Sequence, residues 1–325
     1  MNWSPGKTPA SPKRWLLIAA VLVAALSIFA AAEAREIEHV GGVTIDGSPT
    51  VRLYDALAPG SPVLVRESEP YPARLASWTV VHDSMFVAAG SRVYRHDRSL
   101  PDLPCVGSWT SGEELLGLAD GPERGLVLVL DRRALTMVRF PDMGLPTALW
   151  SQPLDLAGLP EQAGRLLLRR GNHVYVADPT LPGVRVLSID SESGPTTIAT
   201  YASPGGVVHD LTLWGTTLAL LTGSTAAVVD IGSSESPEFT PLGSYETIQR
   251  AASAEVTSRH VFMADGANLL VLDLDPSNES FLGSPVASWV APTEIRSVRL
   301  DRKGRAYILL ADSWEILDVS ALTAR

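Results

Sequence analysis

The chain has a single cysteine, Cys105, among its 325 residues. No intramolecular disulfide can form, so the stapled small-domain class is excluded and the core must hold by burial alone. Lysine is almost as scarce, with only Lys7, Lys13 and Lys303. Acidic residues outnumber basic ones by 36 to 26, for a formal net charge of −10. That balance argues against nucleic acid or an anionic membrane surface as a partner, because both need a basic footprint. Helical periodicity is nearly absent after residue 35. So are a Gly-x-Ser-x-Gly elbow and a phosphate-cradling glycine loop between strand and helix. The histidines are His39, His82, His96, His173, His209 and His260, and no pair has the four-residue spacing of a helical zinc site. No catalytic set, metal site or cofactor is therefore expected. Asp273-x-Asp275-x-Ser277 has the opening of a calcium loop but lacks its glycine and distal glutamate, and reads as a turn.

What the chain does have is a repeat. His173-Val-Tyr-Val-Ala-Asp178 followed by Gly183-Val-Arg-Val-Leu187 returns as His260-Val-Phe-Met-Ala-Asp265 followed by Asn268-Leu-Leu-Val-Leu-Asp273. Aligning the units on the end of their second strand gives the column Asp55, Arg95, Arg139, Ser188, Asp230, Asp273 and Asp318. An aromatic column one strand later reads Trp109, Trp150, Tyr201, Tyr245 and Trp289. The period, roughly 44 residues, suits four short strands with their turns. One such sheet cannot bury both faces, whereas sheets stacked radially in a ring can. The expectation is an all-β chain forming a seven-bladed β-propeller of four-stranded antiparallel blades, with six blades plus a degenerate unit as the alternative. The last unit ends after three strands, and Glu36–Val40 is the candidate to close it. The aromatic column is expected to pack between blades, and Cys105 to be a packed structural thiol.

The N-terminus carries Lys7, Lys13 and Arg14 ahead of an apolar run from Trp15 to Ala32, with small-x-small sites at Ala30–Ala32 and Ala32–Ala34. This pattern predicts a helical Sec-type signal peptide over 1–34, with an uncleaved anchor as the competing reading. No lipoprotein cysteine follows it. The remainder, 35–325, is read as a single propeller domain in the periplasm or outside the cell, with no membrane insertion after cleavage.

The units resemble the LVIVD-repeat family of extracytoplasmic bacterial β-propellers. The resemblance is carried by Tyr175-Val-Ala-Asp178 with Gly183-Val-Arg-Val-Leu187, by Ala227-Val-Val-Asp-Ile231, and by Leu270-Val-Leu-Asp-Leu-Asp-Pro-Ser-Asn278. It covers about 165–320 well and 41–150 less well, where Arg95 and Arg139 replace the aspartate. It implies fold and compartment and brings no catalytic set.

Candidate site residues come from projecting each unit onto the start of its innermost strand, where the strands line the channel. That projection reads Ser77, Glu114, Arg165, His209, Ala252 and Arg296, with Arg74, Asp210 and Arg250 close by. Glu114, Arg165, His209, Asp210, Arg250 and Arg296 are therefore the expected binding ring at the channel mouth. The expected function is a non-enzymatic binding or scaffold module for a protein or cell-surface polymer of the envelope. The alternative is a metal- or acid/base-dependent hydrolase or lyase at the mouth, which requires His209 and Asp210 to meet Glu114 across the channel.

Overall fold

The computed structural model describes residues 39–45, 48–55, 63–100, 102–154, 156, 164–189, 194–233, 237–300, 304–310 and 314–323. The expected signal segment, 1–34, lies outside the described residues. The described strands form seven antiparallel meanders. The first holds β1 (His39–Ile45), β2 (Ser48–Asp55) and β3 (Val63–Glu67). Five four-stranded sheets follow. They comprise β4 (Leu75–Val81), β5 (Ser84–Ala89), β6 (Arg92–Asp97) and β7 (Cys105–Thr110); then β8 (Leu115–Asp120), β9 (Leu126–Asp131), β10 (Ala134–Arg139) and β11 (Thr147–Pro153). Next come β12 (Leu167–Arg170), β13 (His173–Asp178), β14 (Gly183–Ser188) and β15 (Thr196–Ala202), then β16 (Asp210–Trp214), β17 (Thr217–Leu221), β18 (Thr225–Gly232) and β19 (Pro237–Glu246). The fifth holds β20 (Ala251–Val256), β21 (His260–Asp265), β22 (Asn268–Asp273) and β23 (Ala287–Val290). The last sheet has three strands, β24 (Ile295–Leu300), β25 (Arg305–Leu310) and β26 (Trp314–Asp318), and a single turn of helix, α1 (Ser320–Thr323), follows it.

The strands β4, β8, β12, β16, β20 and β24 touch in that order and make the inner wall of a propeller. Seven complete four-stranded blades are not present among the described residues. The reason lies at the two ends. Among the described residues β26 pairs only with β25, and His39 and Val40 pair with Tyr54 and Leu53 of β2 instead of closing the last blade; residues 36–38 of the expected closing segment lie outside the described residues. The first sheet, β1–β3, packs chiefly on itself. The arrangement is thus nearer the six-blade alternative with a degenerate unit.

Sequence explains the blades. The second strand of each is a continuous apolar run, buried on both faces because a blade stands between two neighbours; Leu126 to Leu130 are all at most 1% exposed. The outer strands alternate, as a sheet with one wet face should. Each aromatic of the repeat column lies opposite a buried residue of the third strand: Trp109 on Val93, Trp150 on Met137, Tyr201 on Val184, Tyr245 on Ala226, Trp289 on Leu269. They pack on the apolar clusters between blades, and Tyr201 also meets Phe239 of the next blade with ring centroids 5.1 Å apart. The aspartate column has a local cause. Asp230, Asp273 and Asp318 each accept the backbone N–H two residues on, at 2.9 Å, and so turn the chain out of the third strand. Asp273 also accepts Asn278 Nδ2 and Ser280 Oγ, so this loop is closed on itself as a turn.

Cys105 is exposed at the start of β7, not packed. An outer strand has one solvent face, and Cys105 falls on it.

The hairpin turns fix where inner strands begin. Gly90 (φ +59°) and Gly266 (φ +62°) sit in the second hairpin of their blades, in a backbone region that side chains disfavour. A Cβ on Gly266 would lie 1.8 Å from Gln249 Oε1. Their carbonyls accept the N–H of Leu115 and Ile295, the first residues of the next inner strand, both at 2.8 Å. These two blades therefore hold the entries of their successors.

Candidate functional site

Inner strands do not form a ladder with one another, so their backbone N–H groups need other partners. The sequence supplies them with a side-chain acceptor pointing to the next blade. Ser77 Oγ accepts Leu118 N at 3.1 Å, Asp210 Oδ2 accepts Ala254 N at 3.0 Å, and Ser253 Oγ accepts Val298 N at 3.5 Å. One residue earlier, the register slips. The slip falls between Leu75 and Ser77, Leu115 and Gly117, Ala251 and Ser253, and Ile295 and Ser297. In β16 both His209 N and its neighbour Asp210 address Leu221. In β12 Leu166 pairs with Ala177, which puts Arg165 at the same place. The bulged position thus reads Ala76, Leu116, Arg165, His209, Ala252 and Arg296. Bulges re-aim side chains, and here they aim them at the channel mouth.

The sequence projection had Arg165, His209, Ala252 and Arg296 in this column, and missed by one residue at Ser77 and by two at Glu114. Glu114 belongs to the position just before the strand, with Arg74, Arg250 and Glu294. Its carboxylate turns away to Arg132 at 3.0 Å, and it does not line the mouth cavity.

That cavity has a volume of about 460 Å³ and is lined by Arg74, Gly164, His209, Arg250, Ala251, Ala252, Glu294, Ile295 and Arg296. His209, Arg250 and Arg296 of the expected ring therefore come together in it. Arg74, Arg250, Glu294 and Arg296 are exposed. No described residue is hydrogen-bonded to or ion-paired with the guanidinium of Arg250 or Arg296. His209 is buried and donates its Nε2–H to Ala251 O at 2.6 Å. Burial pushes its pKa below the ordinary value and the Arg250 charge adds to this, against the Ala251 bond and Asp210. His209 is thus a neutral imidazole at the cavity wall.

Arg165 and Asp210 lie beneath the mouth. The Asp210 side chain is fully buried, and its Oδ1 accepts Arg165 N at 2.6 Å and faces Arg165 Nε at 3.7 Å. With Ala254 N on Oδ2, one carboxylate joins three blades. Gly164 permits this approach, since a Cβ there would stand 2.5 Å from Oδ1. Arg165 continues through Nη2 to Ala254 O at 2.6 Å and to Glu255 Oε2 at 3.1 Å. Arg299 flanks Glu255 from the other side at 3.8 Å and donates to Ser253 Oγ at 3.0 Å. The side chains of Arg165 and Arg299 are still 24% and 33% exposed, so this network faces the channel. Burial opposes charge on Arg165, but Glu255 and Asp210 more than offset it and raise its pKa. Arg299 has no such surplus, and burial together with the Arg165 charge lowers it to about 10. Both guanidinium groups are protonated at neutral pH.

Glu255 and Arg299 were not among the expected residues. The signal for them is positional: they occupy the same place in consecutive inner strands, as Ser253-Ala-Glu255 and Ser297-Val-Arg299. The acid/base set of the enzyme alternative is not assembled in this geometry. Asp210 is taken up by backbone and Arg165, His209 turns Nε2 to Ala251, and Glu114 is held off the cavity by Arg132. Among the described residues, no three His, Cys, Asp or Glu side chains gather as a metal site.

No family model matches the chain, and no curated protein matches it. Solved structures do resemble it. A protein of unknown function from Desulfotomaculum acetoxidans has a TM-score of 0.64 at 11% identity, over 83% of this chain and 89% of that one. The computationally designed Ika8 protein gives 0.60 at 12% identity, over 86% and 80%. Hsv2 of Kluyvelomyces marxianus gives 0.58 at 9% identity, over 82% and 85%. At these identities the likeness is one of fold alone.

Proposed function

We propose that this chain is an exported β-propeller of the LVIVD type that acts as a non-enzymatic binding module, with its site at the mouth of the channel. The observation that carries the reading is the cavity where inner-strand starts converge, with Arg74, His209, Arg250, Glu294 and Arg296 on its wall. A pocket of that volume is within the range of ligand sites. The scaffold beneath it is tied by Asp210 and by the Arg165–Glu255–Arg299 network, and it anchors the strand starts at which those side chains sit. The apolar leader and the repeat support a periplasmic or extracellular setting. The partner is a protein or surface polymer of the envelope that presents a group to the mouth.

The test is capture from envelope extract by immobilised 35–325, beside an Arg250→Ala/Arg296→Ala variant that leaves the buried network intact. Loss of a specific partner in the variant is the expected result. A partner retained undiminished by a folded variant moves the site to the outer blade edges.

A further inference from the structure

We infer that a second site, formed by Arg170, His173 and Tyr175 at the β12–β13 turn, holds a small inorganic monoanion such as chloride. It does not depend on what the mouth binds. β12 starts beneath the mouth, next to Arg165, and runs away from it, so Arg170 lies roughly 15 Å below.

Alternation decides which way these side chains turn. Leu167 faces the preceding blade, where a Cβ on Gly117 would lie 3.3 Å from its own Cβ, and Arg169 pairs with Asp120 on that side. Leu168 and Arg170 therefore face the following blade. Arg170 stands directly opposite His173, and Leu168 opposite Tyr175, so Arg170, His173 and Tyr175 share that side. The following blade answers with leucines. Thr212 turns away to Val256 N of the blade beyond, at 3.4 Å, which leaves Leu211 and Leu213 turned back toward β12. Leu168, Tyr175, Leu211 and Leu213 belong to one apolar cluster.

Three polar groups are thus brought to an apolar wall. Tyr175 is 0% exposed and His173 7%. Arg170 Nη1, His173 Nδ1 and Tyr175 Oη are each buried without a hydrogen-bond partner among the described residues. The Arg170 charge is felt by both neighbours: it adds to burial in lowering the pKa of His173, and it opposes the rise that burial causes at Tyr175. Among the described residues no carboxylate pairs with Arg170, whereas the adjacent Arg169 has Asp120. Each of the three groups can donate, His173 in the tautomer with its proton on Nδ1. Buried donors need an acceptor, and a guanidinium turned inward needs a negative charge. One anion supplies both. A water would add protons of its own that face leucine, and would bring no charge. Tyr175 is closed to solvent and Arg170 only half-buried, so the way in runs past the guanidinium and admits an ion of few atoms.

The first experiment is diffraction from crystals of the protein grown in sodium bromide. An anomalous peak in contact with Arg170 Nη1 and Tyr175 Oη is expected; a water there with no anomalous signal would overturn the inference. The second is thermal melting at fixed ionic strength as chloride replaces gluconate. The melting temperature should rise and saturate, by about 3 °C at a chloride concentration about ten times its Kd. Arg170→Met should abolish that rise, and Tyr175→Phe should weaken chloride affinity by about five-fold. Arg169→Met and the mouth variant Arg250→Ala/Arg296→Ala should both keep it. No rise, a rise that persists in Arg170→Met, or a rise lost in the mouth variant would overturn the site. Should Arg170→Met fail to fold, the bromide peak in the unaltered protein decides.

Discussion

On the arc of the channel formed by β4 and β8, the bulged residues are Ala76 and Leu116, and Ser77 and Gly117 follow them. On the arc from β12 to β24 the same backbone position carries Arg165, His209, Ala252 and Arg296, and the next positions carry Asp210 and, further in, Glu255 and Arg299. The register slip is common to both arcs. It is a device of the fold, needed where each inner strand leaves the crossover from the previous blade. At the bulged position, the charged and titratable side chains are confined to one arc. A repeat architecture copies backbone geometry into every unit, while the side chain at the copied position is free to specialise. The lesson is that the site should be sought where the repeat is kept in geometry and broken in composition.

The comparison breaks most sharply at the acceptor position. Asp210→Ala leaves Arg165 N and Ala254 N without acceptors and removes a buried charge from beside Arg165. The expected loss is about 3–5 kcal/mol of unfolding free energy. On the quiet arc, Ser77→Ala orphans one N–H, that of Leu118, and should cost about 1 kcal/mol. Urea melts of both variants check the ratio; equal losses would mean the charged arc is no more strongly tied than the other.

A second effect is set by pH. His96, His173 and His209 all have pKa values held below the ordinary 6.5, chiefly by burial. His96 is fully used as a neutral ring: Nδ1–H donates to Leu103 O at 2.7 Å and Nε2 accepts from Tyr71 Oη at 2.7 Å. The unfolded chain binds protons that these folded histidines refuse. Stability is therefore complete above about pH 6.5 and falls as pH drops below it. Melting temperatures at pH 7.5 and 5.5 should show the decline. His96→Gln, which keeps one donor and one acceptor, should flatten it, whereas a stability curve level between those pH values would contradict the neutral assignment.

The smallest effect sharpens the same contrast from outside. Glu114 meets Arg132 on an exposed turn, so Glu114→Ala should change stability by no more than about 1 kcal/mol and leave ligand binding unchanged. A large loss of binding would return Glu114 to the site. On the outer strand β7, native protein should react fully at Cys105 with a thiol reagent, because the residue is exposed.

Much of the fold is legible in the sequence because its causes are local. The aspartate column is a turn that each aspartate makes with its own chain two residues on. The aromatic column follows strand alternation against a buried neighbour. His209 and Arg296 are legible at the mouth because they sit a fixed distance from those landmarks, whereas Arg165, at the same backbone position, turns to Asp210 and Glu255 beneath it. Glu114 and Ser77 were misplaced because a bulge shifts the count by one and the crossovers differ in length. Glu255 and Arg299 were missed because their network with Arg165 joins three blades, and nothing within one repeat records a neighbour from another. The blade count erred where the evidence was an unpaired end: a strand's pattern does not say which partner it takes, and His39–Val40 takes β2.

The most direct test of the charged arc as the site is a crystal structure of the protein with the partner captured from envelope extract. Contact of that partner with the Arg250 and Arg296 side chains, at the wall formed by His209 and Ala252, is the predicted result. Contact on the outer blade faces alone would contradict the account.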